Sequence, residues 1–403
     1  MEKSMIRRLN MHGMLLMAAY WFGICTYLAF MVTALVDYGW STSAATGAIT
    51  AMSVVIMIVS PIYGYISDKY FSEKKLLIIL LALSALFFVL LPFSLRSGSN
   101  FLVLVNMVGV TITAVQSNGL IDSWIVGLKQ EFPEVNYGLI RGTGSLTFAL
   151  SAQVAGILTT AFGHGVRFWL GGTFFVLALL IALSYRPARR SNLDEKKPRL
   201  SGGETFKIIF SSKQYCLLLA VSFFLILSSS AMVTLVQLLI PEFGGTTAQV
   251  GTAFAVMAGS EVPMMFLMAL IIKKLGYKKV LVFTGAAFAT RMFITANVAS
   301  VNGIISIQLL QGLTFAVLLP VSMSYLSEIV DERVRTTAVT TFAAITASFT
   351  GILGNLFTST LLANGFTAQN TLIFFAFSAL IGFILTLYGW ARGIWEIQKS
   401  LPL

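Results

Sequence analysis

Between Lys75 and Arg96 the chain reads LLIILLALSALFFVLLPFSL (Leu76–Leu95), with a basic pair, Lys74-Lys75, in front of it. A helix rises 1.5 Å per residue, so a run of this length covers about 30 Å. That is the thickness of a bilayer's hydrocarbon core. Val280–Ala299 is a second plain run of the same kind. Reading outward from these two, apolar runs long enough to span recur at Met11–Val36, Ala44–Ile66, Phe101–Leu128, Gly138–Phe162, Phe168–Ser184, Tyr215–Ile240, Val250–Ile272, Ile304–Ile329, Thr337–Leu362 and Thr371–Trp390. The expectation is an all-α membrane protein of twelve spans lying in the lipid bilayer. Composition agrees: 57% of the 403 residues are hydrophobic and 11% charged, with mean hydropathy +0.86, which no soluble domain approaches.

A net charge of +11 would raise the question of nucleic acid in a soluble chain. Here the positions of the basic residues answer it. Lys3, Arg7 and Arg8 precede the first span; Lys69, Lys74 and Lys75 follow the second, Lys129 the fourth and Arg186 to Lys213 the sixth. Lys273, Lys274, Lys278 and Lys279 follow the eighth, Arg333 and Arg335 the tenth, Arg392 and Lys399 the twelfth. The opposite loops hold Arg96 and Arg167. The positive-inside rule then expects both termini in the cytoplasm and the chain in the cytoplasmic (inner) membrane. The first basic-then-apolar segment is too long for a signal peptide and reads as an uncleaved span. Cys25 and Cys216 fall inside spans and read as packing residues.

The one long polar stretch, Arg186 to Lys213, holds Pro187, Pro198, Gly202 and Gly203 and reads as a cytoplasmic linker. It divides residues 1–185, 186–213 and 214–403, with a short surface helix expected around Glu204–Phe210. The flanking parts echo each other. Gly64-Tyr-Ile-Ser-Asp68-Lys69-Tyr-Phe71-Ser-Glu-Lys74-Lys75 after the second span answers Lys273-Lys274-Leu-Gly276-Tyr-Lys278-Lys279 after the eighth. Tyr137-Gly-Leu-Ile-Arg141 likewise answers Glu332-Arg-Val-Arg335. Two pseudo-symmetric six-helix bundles with a site between them near the midplane is the architecture this repeat implies.

Four ionisable residues lie deep in predicted spans. Glu261 precedes Lys273 by 273 − 261 = 12 residues and Arg291 follows Lys279 by 291 − 279 = 12, placing both about 18 Å below that face at helical rise. Asp122 and Arg141 match at a shallower depth. Charges at such depth face a partner or a water-filled cavity. Each pair therefore reads either as a functional site or as a fixed structural ion pair. Polar stripes accompany them: Thr111, Asn118 and Asp122 on one span; Arg141, Ser145 and Phe148 on the next; Ser230, Thr234 and Gln237; Gln308 and Gln311; and Tyr20 with Tyr27. Taken singly, each polar residue reads as readily as a joint between helices; together they suggest a small, polar, hydroxyl-rich solute.

The Gly64 to Lys75 loop resembles the signature loop of the major facilitator superfamily, with Gly64, Asp68 and Lys69 in place and Phe71 where a second glycine stands. The resemblance implies the major facilitator fold and a gating role for those three residues; a solvated turn is the alternative. Asp122, the Tyr137–Ser145 segment, Gly259-Ser-Glu261-Val-Pro263 and Arg291 are similar to the oligosaccharide and nucleoside proton symporter (lactose permease-like) branch. This implies substrate binding by Asp122, Arg141 and Phe148, and proton coupling through Glu261 and Arg291; the polar stripes add Asn118, Ser145, Gln311 and Tyr20 to the expected substrate-binding residues. Phe148 falls where the branch has a stacking tryptophan. Gln311, Thr314 and Ala316 fall where it has proton-handling or acidic residues on the tenth span.

The function so implied is secondary active transport, proton-coupled symport of a small polar solute (sugar, glycoside or nucleoside) by alternating access, in a functional monomer. Export of sugars, glycolipids or drugs by proton antiport is the alternative, weakened by the absence of a Gly-Pro signature at Ala152–Leu158. No Walker loop, His-Glu helix motif or cysteine cluster is present, and His12 and His164 are isolated in sequence. Neither an enzyme nor an ATP-driven pump is expected, and no cofactor, metal site or nucleic-acid partner.

Overall fold

The computed structural model describes residues 2–69, 73–184, 202–331 and 334–396. Among them twelve helices are long and apolar enough to cross a membrane: α1 Ser4–Asp37, α2 Thr42–Tyr63, α3 Glu73–Arg96, α4 Asn100–Lys129, α5 Tyr137–Phe162, α6 His164–Ser184, α7 Lys213–Glu242, α8 Thr247–Met268, α9 Leu270–Asn297, α10 Val301–Ile329, α11 Thr337–Ala363 and α12 Ala368–Ala391. Among the described residues there is no strand. An even number of spans puts both ends of the chain on one face, called here the terminal face. The short helix Gly202–Ser211 sits where the linker was expected to hold one, with Phe206 and Phe210 stacked 6.2 Å apart and exposed.

Helix starts are set by side-chain caps that satisfy otherwise orphaned backbone N–H groups. Ser99 accepts from the N–H of Leu102, Asn136 from Leu139, Ser212 from Tyr215, Ser300 from Gly303 and Thr367 from Asn370. Thr246 and Gln249 form a reciprocal capping box at the head of α8. The chain turns from the α8 span into the α9 span at Gly276, near the start of the Leu270–Asn297 stretch and the one residue between Thr247 and Asn297 with non-helical φ/ψ (75°, 160°). A side chain in that conformation would be strained, so glycine permits a one-residue reversal.

Several spans are interrupted inside the membrane, which the apolar pattern did not announce. The α-helix of α1 stops at Leu28 and resumes at Met31, and α7 is interrupted at Ala231. A π-helical segment occupies Thr111–Val115 in α4 and Ala344–Phe349 in α11; α10 winds as a tighter 3-10 helix over Gln308–Leu313. Such segments often mark functional sites.

The two bundles meet along a seam that tightens toward the face opposite the termini. There α5 and α8 approach backbone to backbone. A Cβ at Gly156 would lie 3.0 Å from the carbonyl of Thr247, and one at Gly251 would collide with the carbonyl of Ala152. Asn355 of α11 donates to Ser53 of α2 across 3.5 Å. Nearer the terminal face, the same α5–α8 contact is kept by a long side chain, with Phe266 Cζ 3.8 Å from a Cβ built at Gly142.

Candidate functional site

The first cluster is built on α1, α4 and α5. Arg141, Ser145 and Phe148 share one face of α5, all three half-buried. The guanidinium of Arg141 lies 5.0 Å over the ring of Trp21 from α1, which meets Phe148 edge-on at 5.9 Å and Tyr20 at 5.5 Å. Trp21 was missed in the sequence, where the polar stripe of α1 drew attention to Tyr20 and Tyr27 instead. The signal that could have found it is Gly144, three residues after Arg141. A Cβ there would sit 2.6 Å from Trp21 Cδ1, so glycine leaves the groove that the indole fills. Tyr20 is buried and turns its ring edge to Phe175 at 6.0 Å, packing the cluster from behind.

Asp122 and Asn118, one turn apart on α4, face each other, with Asn118 Nδ2 donating to Asp122 Oδ2 at 3.3 Å. Oδ1 of each is buried with no hydrogen-bond partner. Buried acceptors are nearly always satisfied, so two orphans side by side mark a place where a donor is wanted. Asp122 and Arg141 act on each other electrostatically but form no ion pair; Arg141 is turned onto Trp21.

The second cluster lies on α8, α9 and α10. Arg291 is 1% exposed, and its guanidinium donates to the carbonyl oxygens of Gln311 and of Gln308 (2.8 Å) and to Thr314 Oγ1 (3.2 Å), while Nε has no partner. Gln311 then donates from Nε2 to Glu261 Oε1 at 2.9 Å. Glu261 and Arg291 are thus joined through an amide rather than by a direct ion pair. The 3-10 segment of α10 carries Gln308 and Gln311, with Thr314 directly after it, and sets all three against Arg291, while Gln311 alone reaches Glu261. A second strand of the same wiring runs beside it: the N–H of Gly312 donates to Ser260 Oγ at 3.0 Å. Gln311 accordingly stands with Glu261 and Arg291, apart from the Arg141 cluster. The charge of Arg141 nonetheless reaches Glu261 across the seam.

Several polar residues of the stripes prove to be joints between helices. Thr234 donates to Asn355 at 2.9 Å, and Gln237 fills the interruption of α1. The expected gating residues Gly64, Asp68 and Lys69 lie on the helix Thr42–Lys69, but their side chains are outside the described residues. No group of three or more metal-ligating side chains occurs among the described residues.

Known proteins resemble this chain in sequence and in architecture. The chain is 28% identical over 306 residues to the maltose permease of Geobacillus stearothermophilus, covering 75% of each chain. It is 25% identical to the melibiose permease of Enterobacter cloacae, covering 79% of this chain and 78% of that one. Among solved structures the nucleoside transporter NupG superposes with a TM-score of 0.76 at 15% identity, over 94% of this chain and 99% of that one, a likeness of fold. With twelve spans in two bundles, the chain is a multi-pass membrane transporter and not an enzyme, and it belongs to the MFS_1 like family of the major facilitator superfamily, whose model matches residues 9–383.

Proposed function

We propose that the chain is a proton-coupled symporter of a small polar solute of the sugar or glycoside class, working by alternating access as a monomer in the cytoplasmic membrane with both termini inside. Residues 1–185 and 214–403 are the two bodies that rock, and 186–213 is the tether. The observation that carries the reading is the pairing of unlike clusters across one seam. One side offers an aromatic floor, a guanidinium and two unpartnered acceptors; the other offers a single deep carboxylate wired to a buried arginine.

The first set suits a neutral polyol. Hydroxyls donate to Asp122 and Asn118, accept from the planar fork of Arg141 and from Ser145, and the ring's C–H face lies against Trp21 or Phe148, with Tyr20 behind. In the second set, Glu261 as a carboxylate accepts from Gln311, and a proton on it removes the negative charge nearest Arg291. Gln311 then belongs to coupling more than to substrate. The curated relatives are named as permeases of maltose and melibiose, which favours a sugar.

The test is uptake by proteoliposomes from a panel of mono- and disaccharides, glycosides and nucleosides, with and without an imposed proton gradient. Accumulation of a sugar or glycoside that collapses with a protonophore is expected. Accumulation indifferent to the gradient, or transport of nucleosides alone, would overturn the reading.

A further inference from the structure

The interruption of α1 exposes backbone groups that a continuous helix would satisfy, and a residue of the other bundle satisfies them. Gln237 of α7 is 2% exposed. Its Oε1 accepts from the N–H of Val32 at 2.9 Å and of Thr33 at 3.4 Å, and its Nε2 donates to the carbonyls of Leu28 at 3.3 Å and Val233 at 3.0 Å. The same turn is held from the other side by Arg167 of α6. Fully buried, Arg167 donates to the carbonyl of Phe30 at 2.9 Å and stacks on the rings of Phe30 (5.1 Å) and Phe168 (4.6 Å). Phe30 in turn packs on Phe254 of α8, in the opposite bundle, at 6.5 Å. Two contacts that close the face opposite the termini therefore converge on one turn.

Arg167 is itself held by a histidine. Its Nη1 is bonded to Nδ1 of His164, and His164 Nε2 to Oδ2 of Asp37. A guanidinium only donates, so Nδ1 must accept, and the hydrogen of the imidazole must lie on Nε2, donated to Asp37. His164 is neutral in this arrangement, and its one free proton site is already taken by Arg167. The other charged and titratable groups nearby are few. Tyr38 lies beside the imidazole at 6.0 Å, and the Arg96 guanidinium of α3 lies against Gly165. Glu242 of α7 lies across a cavity of about 320 Å³ that Asp37, Thr33 and Gln237 also line. Protonating Nδ1 puts a donor and a positive charge against a guanidinium that has no other acceptor for that nitrogen, while the imidazolium keeps its bond to Asp37.

We propose that His164 is a proton-binding site that unlocks the closed face: a proton on Nδ1 expels Arg167, frees the interrupted turn of α1 and lets the bundles part there. The proposal rests on the alternating-access reading above. It assigns the proton a second point of action, separate from Glu261 and on the other side of the solute site. Acid on that side favours opening toward it, so that proton and solute load from the same compartment.

The test uses the purified full-length chain carrying Glu261→Gln, which silences the deep acid, with Cys25→Ser and Cys216→Ser. Spin labels are placed at Ala44→Cys and Ala363→Cys, exposed positions on α2 and α11 beside the seam. Pulsed-EPR distance distributions are recorded from about pH 7.5 to about pH 5.5, which brackets the ordinary histidine range. The longer-distance population should grow several-fold with acid, and the growth should vanish in His164→Gln, whose amide accepts from Arg167 and donates to Asp37 but has no proton to gain. The same acid response in His164→Gln, or no response in the parent, would overturn the proposal. Adding Gly251→Val separates the two readings, because a side chain there blocks the α5–α8 seam. If that variant shows the longer distance and acid does not, this proposal alone is lost. If neither produces it, alternating access itself fails.

Discussion

Glu261 and Arg291 each stand 15 residues from Gly276, the one before the turn (276 − 261) and the other after it (291 − 276), yet they do not touch, because Gln311 accepts from Arg291 and donates to Glu261 at 2.9 Å. An amide held by an arginine has no choice of orientation. Its oxygen is claimed by the guanidinium, so its NH₂ must face the carboxylate, and Glu261 is met by a donor whenever Gln311 is in place.

Glu261→Gln, which mimics the protonated acid, should retain exchange of solute across the membrane and lose accumulation against a gradient. One proton crossing with 100 mV contributes about 2.3 kcal/mol, enough for a gradient of roughly 50-fold. Comparing counterflow with gradient-driven uptake in the same proteoliposomes checks it; full accumulation by the variant would remove Glu261 from coupling.

Gln311→Leu leaves Arg291 without one acceptor and Glu261 without its donor. The cost of leaving such buried groups unsatisfied is about 1 to 3 kcal/mol, read as a lower unfolding temperature in detergent. Gln311→Glu should instead pair directly with Arg291 and share one proton with Glu261, keeping stability and weakening coupling. A stable, fully coupled Gln311→Leu protein would show that the relay is ornamental.

For the aromatic cluster, Trp21→Ala removes the ring on which Arg141 rests and the edge that meets Phe148. Contacts of this type are worth about 0.5 to 1.5 kcal/mol each, so solute binding should weaken by about tenfold. Trp21→Phe should lose less, and Arg141→Lys should weaken binding by losing the planar fork. Binding calorimetry with the solute identified by uptake decides this, and equal affinity in Trp21→Ala would leave the indole as packing.

Asp68→Asn, in the segment that resembles the family's signature, should slow transport while changing solute affinity only modestly. In a parallel protein it should raise thiol labelling of Ser145→Cys by releasing closure on the terminal face. Unchanged labelling with normal turnover would make Asp68 an ordinary turn residue.

The spans and the repeat were legible because hydrophobicity and helical rise fix position along each helix. What they do not fix is direction around each helix once a helix is irregular. The 3-10 winding of α10 swings Gln308, Gln311 and Thr314 into line with Arg291, and no proline or glycine at Gln308 itself signals where that winding starts. Pro61 and Pro92, which look like breakers, lie inside unbroken helices. The interruptions of α1 at Ala29–Phe30 and of α7 at Ala231 carry neither residue. Gln237 looked like lining because its partner is backbone of a distant span, and backbone leaves no mark in sequence. Trp21 was hidden for the opposite reason: its place is prepared by an absence, the missing side chain of Gly144.

The interrupted turn of α1 also has a history within each molecule's synthesis. The amides of Val32 and Thr33 wait for Gln237, 205 and 204 positions later in the chain. At about 5 to 20 residues per second, the ribosome needs roughly 10 to 40 s to supply it. Until it arrives the amides of that turn are bare donors, and lipid offers nothing in exchange. The last local structure of the first bundle is therefore completed by a neighbour that has not yet been made, and the amino-terminal half released alone should remain dependent on water, or on a helper protein, at that turn.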